Sequence, residues 1–357
     1  MQAKRILFPL EGFNLSGGIR IVIQVANGLA EAGHEVTIIV PDYAATPPFN
    51  LHERIRLKKV RTRGSTFLRK INCILKLCFI STWHADVSFA TGYRTPYYLC
   101  LAKYLSFSRA KLVYLIQHYE PVSHAGQRSG LPGRFLSWLA RLGYRLPLRR
   151  IAVSDWIKQT IGDERIMVIS NGIDLAAFRP LNGLRTGAEK FTIGTVAGIS
   201  EWKGHRVFLD AIEELPSQEK QKLRILVASQ SADTLPRGVP AELIRPADEN
   251  ELIAFYQSCD VFVCSSFIEG FGLPPLEAMA CGVSVITTDC GGVRQYASAS
   301  NCLIVPPGDS KAIAESIVRL MHDRDLRATL REKALETASE FSLEKMTQKY
   351  AGLLSEI

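Results

Sequence analysis

The stretch Val261-Phe-Val-Cys-Ser-Ser-Phe-Ile-Glu269-Gly-Phe-Gly-Leu-Pro-Pro-Leu-Glu277 decides the fold. Val261 to Cys264 is a short, wholly apolar run of the kind that forms a strand buried on both faces of a parallel sheet. Gly270 and Gly272 let a ligand approach the backbone closely. Pro274 and Pro275 suit the first turn of a helix, where no needed donor is lost. The amides of Gly270, Phe271, Gly272 and Leu273 are therefore expected to converge at a positive helix end, a place for phosphate. Two carboxylates, Glu269 and Glu277, flank this loop. They would repel phosphate but accept hydrogen bonds from the hydroxyls of sugars and riboses, so the combination points to a sugar nucleotide.

Working outward, Phe191 to Ala197, Leu223 to Ala228, Ser284 to Thr288 and Cys302 to Val305 read as further strands. Arg206 to Glu214, Glu249 to Cys259, about Pro275 to Cys281, and a long segment from Ser310 read as helices. The N-terminal half repeats the pattern. Ile6 to Leu10 is a strand, Ser16-Gly17-Gly18 a glycine turn, Ile19 to Ala30 a helical stripe ending at Gly33, and Val36 to Val40 a second strand. Such a βαβ unit requires a parallel sheet, and Asp86 to Ala90, Lys111 to Gln117 and Arg150 to Ser154 extend it. The expected organisation is α/β with two doubly wound, Rossmann-like domains. Residues 1–175 form the first domain, residues 176–340 the second, with a linker over Leu181 to Lys190, and residues 341–357 a C-terminal helix that can return to the first. Two such domains facing each other leave a cleft at the carboxyl ends of their strands.

A chain of 357 residues with 47% hydrophobic and 22% charged residues suits two globular domains. No apolar run is long enough for a transmembrane helix, and the start lacks the apolar core of an export signal, so a cytoplasmic location is expected. The eight cysteines contain no C-x-x-C pair and read as buried free thiols. Charge is uneven: residues 1–175 carry net +13 and the remainder −5. A basic half suggests a polyanion as partner. Within it, Phe135, Leu136, Trp138, Leu139 and Leu142 alternate with Arg134, Arg141, Arg145, Arg149 and Arg150, which fits either an interfacial membrane helix or a helix packed on the sheet with a solvated basic rim. A second basic run, Arg54 to Arg63, ordinarily means a solvated face. Nucleic acid is disfavoured because no recognised nucleic-acid motif is present.

The segment Phe267 to Gly292 resembles the signature of retaining GT-B glycosyltransferases of the family 4 (group 1) type, whose E-x7-E element is matched by Glu269 and Glu277. Gly17-Gly18, Val168-Ile-Ser-Asn-Gly-Ile-Asp174, Lys203-Gly204 and Asp289-Cys-Gly-Gly292 extend the resemblance over nearly the whole chain. It implies that Glu269 holds hydroxyls of the transferred sugar and that Glu277 binds the ribose. It also implies that the amides of Gly270, Phe271, Gly272 and Leu273, with Gly17 and Gly18, hold the diphosphate. Lys203 would neutralise the leaving phosphate, and His118 would contact the donor sugar. The implied reaction moves a hexose from a nucleotide diphosphate sugar, with retention and without metal or other cofactor, to a glycan or lipid-linked acceptor. With the basic half, this suggests a peripheral enzyme on the inner face of the cell membrane, extending lipopolysaccharide or another envelope polysaccharide.

The match has gaps. Ala197-Gly198-Ile199-Ser200-Glu201-Trp202-Lys203 lacks the arginine usual before the lysine, leaving Arg20 or Arg206 as substitutes, and Gln295 stands where Glu is common. Asp323-Arg-Asp325 has the D-x-D spacing of metal-dependent transferases but reads as a helix–helix turn, and the other histidines show no metal-ligand spacing. A sugar-nucleotide epimerase on the same fold and a non-catalytic basic binding protein are the alternatives.

Overall fold

Each apolar run bounded by turn residues becomes a strand, and the strands assemble into two separate sheets. The computed structural model describes residues 2–14, 16–47, 49–61, 75–77, 79–80, 82–122, 131–181, 190–198, 200–230 and 235–357. Most of the expected linker, Arg63, Cys73, Cys78, His124 and Ile199 lie outside these residues. The chain divides into two compact units, Met1–Asn171 with Leu343–Ile357, and Gly172–Ser342.

In the first unit the strands β1 (Arg5–Pro9), β2 (Glu35–Pro41), β3 (Arg56–Val60), β4 (Val87–Thr91), β5 (Lys111–Ile116), β6 (Arg149–Ala152) and β7 (Met167–Val168) form a sheet of order β3-β2-β1-β4-β5-β6-β7. All of its pairings are parallel. Phe8 and Phe89 stack across neighbouring strands with centroids 4.7 Å apart. The basic run from Arg54 falls largely on β3, the edge strand, four of whose five residues are exposed. Lysine and arginine there discourage pairing with another chain. The C-terminal helix Leu343–Ser355 packs on the Gly17–Glu31 helix. Gly28 makes that approach possible, because a Cβ there would lie 2.1 Å from the Thr347 hydroxyl.

In the second unit β8 (Phe191–Val196), β9 (Leu223–Ala228), β10 (Ala241–Ile244), β11 (Val261–Cys264), β12 (Ser284–Thr288) and β13 (Leu303–Val305) are parallel in the order β10-β9-β8-β11-β12-β13. Ile193, Phe208, Ile225, Val263, Ile286 and Ile313 build its core between sheet and helices. The glycine-loop helix begins at Leu273, earlier than Pro275, because Gly272 at φ +85 turns the chain directly into it. Asp323 ends the helix Ser310–His322 and caps Arg324–Ser339, its Oδ1 accepting from the Leu326 amide at 2.9 Å. Asp323-Arg-Asp325 is thus a helix–helix turn. Among the described residues, no helix is long and apolar enough to cross a membrane, and the six described cysteines are free thiols.

Candidate functional site

In each sheet the strand order reverses once, between β1 and β4 in the first unit and between β8 and β11 in the second. Crevices for ligands open at the carboxyl ends of strands at such points. The segments singled out in the sequence follow these strands.

In the second unit, a short helical turn Glu201–Lys203 follows β8. It docks on the segment after β11: the Phe267 amide donates to the Trp202 carbonyl at 2.7 Å, and the Ser265 hydroxyl donates to the Gly204 carbonyl at 2.9 Å. Gly204 has φ +62, and a Cβ there would lie 1.9 Å from the Ser265 carbonyl oxygen. The glycine after Lys203 is therefore required by a backbone contact. The docking brings the Lys203 Nζ to 2.7 Å from Glu269 Oε1, which also accepts from the Ser266 hydroxyl at 2.7 Å. The two side chains are 33% and 12% exposed. Burial pushes the Lys203 ammonium down, but the charge of Glu269 and the hydrogen bond between them outweigh it and leave the lysine above its ordinary range. Lys203 therefore stays cationic throughout the neutral range.

The glycine loop is held on its other side by the segment after β12. Glu269 and Gly291 form a parallel bridge, with the Glu269 amide donating to Cys290 O at 2.7 Å and the Gly292 amide to Glu269 O at 2.9 Å. Phe271 is buried between Tyr296 and Phe341, at centroid distances of 5.5 and 6.0 Å, and the Tyr296 hydroxyl donates to the Gly272 carbonyl. Leu273 opens the helix, so the amides of Gly270 to Leu273 stand at its start. Glu277, one turn further, is only 1% exposed, and the Tyr256 hydroxyl donates to its Oε2 at 2.7 Å. Glu277 therefore offers a ligand only a very small accessible edge. Of the substitutes for the missing arginine, Arg206 pairs with Asp210 at 2.7 Å with its side chain 74% exposed, and Arg20 is 7% exposed.

In the first unit, Ser16 caps the helix that begins at Gly17 and Gly18, its hydroxyl accepting from the Ile19 amide. A Cβ on Gly18 would lie 3.4 Å from the Gln117 side-chain oxygen, so this helix start sits beside the segment after β5 that carries His118. Two residues beyond His118, sequence reasoning missed Glu120. Its carboxyl accepts from the Tyr114 hydroxyl at 3.1 Å, and its amide donates to the Tyr144 hydroxyl. Burial pushes this carboxyl up to about 7, against opposing hydrogen bonds from Tyr114 and the Tyr93 backbone. No spacing rule reveals such a group, because its partners come from β5 and from the end of a later helix.

The sign of the consequence follows from linkage. A carboxyl raised in the fold is protonated there when the unfolded chain has already lost its proton, so the native state binds more protons and stability falls as pH rises through the window. The Glu120 contribution is full below about 4.5 and lost by about 7, a change on the order of 3 kcal/mol. Thermal midpoints measured between pH 4.5 and 8 are expected to show this fall, and Glu120→Gln to remove it. An unchanged pH dependence in Glu120→Gln would refute the assignment.

Among the described residues, no group of three His, Cys, Asp or Glu side chains is arranged to hold a metal ion. A family model described as Glycosyltransferase Family 4 matches residues 15–177, and one described as Glycosyl transferases group 1 matches residues 182–337. The chain belongs to the family 4, group 1 type of glycosyltransferases. D-inositol 3-phosphate glycosyltransferase of Corynebacterium efficiens is 28% identical to it over 218 residues, 54% of this chain and 51% of that protein. N,N'-diacetylbacillosaminyl-diphospho-undecaprenol alpha-1,3-N-acetylgalactosaminyltransferase of Campylobacter jejuni is 31% identical over 109 residues, 30% of this chain and 29% of that protein. The chain spans about half the length of the first of these curated relatives and less of the second. The structure of Anabaena Alr3699/HepE in complex with UDP and glucose matches with a TM-score of 0.79 at 19% identity, over 99% of this chain and 100% of that one. The fold of this chain is accordingly GT-B, with two Rossmann-like domains.

Proposed function

We propose that this glycosyltransferase moves a hexose from a nucleotide diphosphate sugar to a glycan or lipid-linked acceptor, with retention at the anomeric carbon and without a bound metal. The observation that carries the reading is the Lys203–Glu269 pair beside the start of the Leu273–Ala280 helix. A partly enclosed cation, an acceptor for sugar hydroxyls and a set of helix-start amides lie together at a strand-order reversal. In this reading the amides of Gly270, Phe271, Gly272 and Leu273 hold a diphosphate, and Gly17 and Gly18 offer a second such set. Glu269 holds sugar hydroxyls, His118 contacts the sugar and Glu277 the ribose. The acceptor hydroxyl attacks the anomeric carbon on the face from which the phosphate leaves. The bond from carbon to phosphate oxygen breaks as the new glycosidic bond forms, and the departing phosphate oxygen takes the acceptor's proton. Lys203 stabilises the charge that develops there, while the protein supplies positioning.

The basic first unit is assigned to an anionic membrane surface, on the cytoplasmic side. The exposed Phe135 and Trp138 of the Leu131–Gly143 helix support this reading, as does a relative whose name carries a diphospho-undecaprenol acceptor.

Thermal unfolding with UDP, GDP, dTDP, ADP and CMP tests the donor half. A ligand at about 100 times its dissociation constant adds about 2.7 kcal/mol, enough to raise the midpoint by several degrees. One nucleotide is expected to do so, with Lys203→Ala and Glu277→Gln weakening the effect. Failure of all five to stabilise the protein would overturn the donor reading.

A further inference from the structure

The amphipathic helix Leu131–Gly143 and the turn after it present two different surfaces. Phe135 and Trp138 are 58% and 54% exposed and stack on each other at 5.9 Å. Arg141 and Arg145, which read in the sequence as part of one basic rim, are exposed and border a cavity of about 790 Å³ together with Tyr119, Tyr144, Arg150 and Arg165. Tyr119 directly follows His118. It stacks on Tyr144 at 6.1 Å and meets Trp156 edge-on at 6.5 Å, which fixes one wall of the cavity.

Positive charge in this cavity exceeds what its carboxylates can offset. Asp163 serves two guanidinium groups, Arg150 at 2.8 Å and Arg165 at 2.9 Å. The hydrogen bonds from Arg165 hold its carboxyl well below the usual range. Glu164, the other acid on the wall, is 92% exposed and paired with Lys158 at 3.0 Å. Among the described residues no carboxylate lies within ion-pair distance of Arg141 or Arg145. Arg150 has a side chain only 11% exposed, and its Nε is buried without a hydrogen-bond partner. Guanidinium forks with spare donors, set beside aromatic walls, match the several acceptor oxygens of a phosphate.

We propose that this cavity is a subsite for a phosphate or diphosphate group carried by the acceptor. The inference rests on the transfer reading above and narrows its acceptor to a phosphorylated one. The same chemistry is offered by a soluble phosphate ester and by a lipid-linked diphosphate, whose chain would meet Phe135 and Trp138.

Calorimetric titration of the full chain with inorganic pyrophosphate, farnesyl diphosphate and phosphatidylglycerol vesicles tests it, using the wild type, Arg141→Ala/Arg145→Ala and Lys203→Ala. Among the described residues neither guanidinium has a carboxylate partner to lose, so the double variant is expected to keep the wild-type unfolding midpoint. It is expected to lose at least tenfold in pyrophosphate affinity, while Lys203→Ala retains binding at the subsite. Farnesyl diphosphate binding more tightly than pyrophosphate marks a lipid-linked acceptor; equal binding marks a soluble one. Pyrophosphate affinity unchanged in the double variant, or vesicle binding lost without competition by pyrophosphate, overturns the proposal. Failure of the subsite and failure of the donor reading are separable. Stabilisation by a nucleotide with no arginine-dependent pyrophosphate binding sinks only the subsite, and the reverse pattern sinks the transfer reading, and with it the acceptor role, while leaving a phosphate-binding cavity.

Discussion

Lys203→Ala is expected to lower turnover by roughly 10²- to 10³-fold, the size seen when one preorganised charge-stabilising donor is removed from a site where charge develops. Lys203 faces Glu269 at 2.7 Å in a largely enclosed setting. Its loss removes the cation assigned to the leaving phosphate and takes from Glu269 the ammonium that donates to its Oε1. The loss should fall on kcat more than on KM, because the charge Lys203 answers is greatest in the transition state. Glu269→Gln separates the two partners: it keeps the shape of the side chain, frees the ammonium and weakens the grip on sugar hydroxyls. Initial rates with the nucleotide sugar identified by thermal shift provide the measurement. A Lys203→Ala rate within about fivefold of the wild type would show that the lysine only braces Glu269.

Gly204→Ala is expected to be strongly damaging to the second unit. The residue stands at φ +62, and its Cβ would overlap the Ser265 carbonyl oxygen at 1.9 Å. The backbone conformation alone costs an alanine about 1–2 kcal/mol. Relieving an overlap with main chain, which cannot rotate aside, adds about 1–3 kcal/mol. Gly238 supplies the control, since it has φ +73 and nothing within 4 Å of a built Cβ. Gly238→Ala should cost only the conformational part. Thermal unfolding of the two variants gives the comparison, and equal losses would contradict the backbone docking of the Lys203 turn. Nucleotide binding should fall in Gly204→Ala even where the protein remains folded, because Lys203 is aimed by that contact.

Much of this was legible because strands and glycine turns are local. The apolar run Val261 to Cys264, the prolines after Gly272 and the stripe after Gly18 each declare their structure within a few residues, and the resemblance attached roles to them. The contacts that make a site of them are not local. Lys203 and Glu269 are 66 residues apart, and nothing near either one predicts a 2.7 Å pair. Tyr256 is separated from Glu277 by a strand and a glycine loop, so the near-complete burial of that carboxylate was invisible. The Arg141 to Arg150 series shows the limit most clearly. Helical spacing displays the basic side chains, but the segment Asp163 to Arg165 that turns three of them into a cavity wall follows the next strand and helix. Glu120 was unreadable for the same reason.

The return of Leu343–Ser355 to the Gly17–Glu31 helix bears on how the protein is made. Met346, Tyr350, Leu353 and Leu354 are buried in the first unit, and Tyr350 lies 6.3 Å from Phe89 of β4. The second unit is one uninterrupted piece of chain, whereas the first is assembled from both ends of the described polypeptide. A nascent chain leaving the ribosome therefore presents the beginning of the first unit early but cannot finish it. The apolar face that awaits this helix stays uncovered while the entire second unit is synthesised and free to fold. The unit translated first is the last to close, and chaperones have that interval in which to bind it.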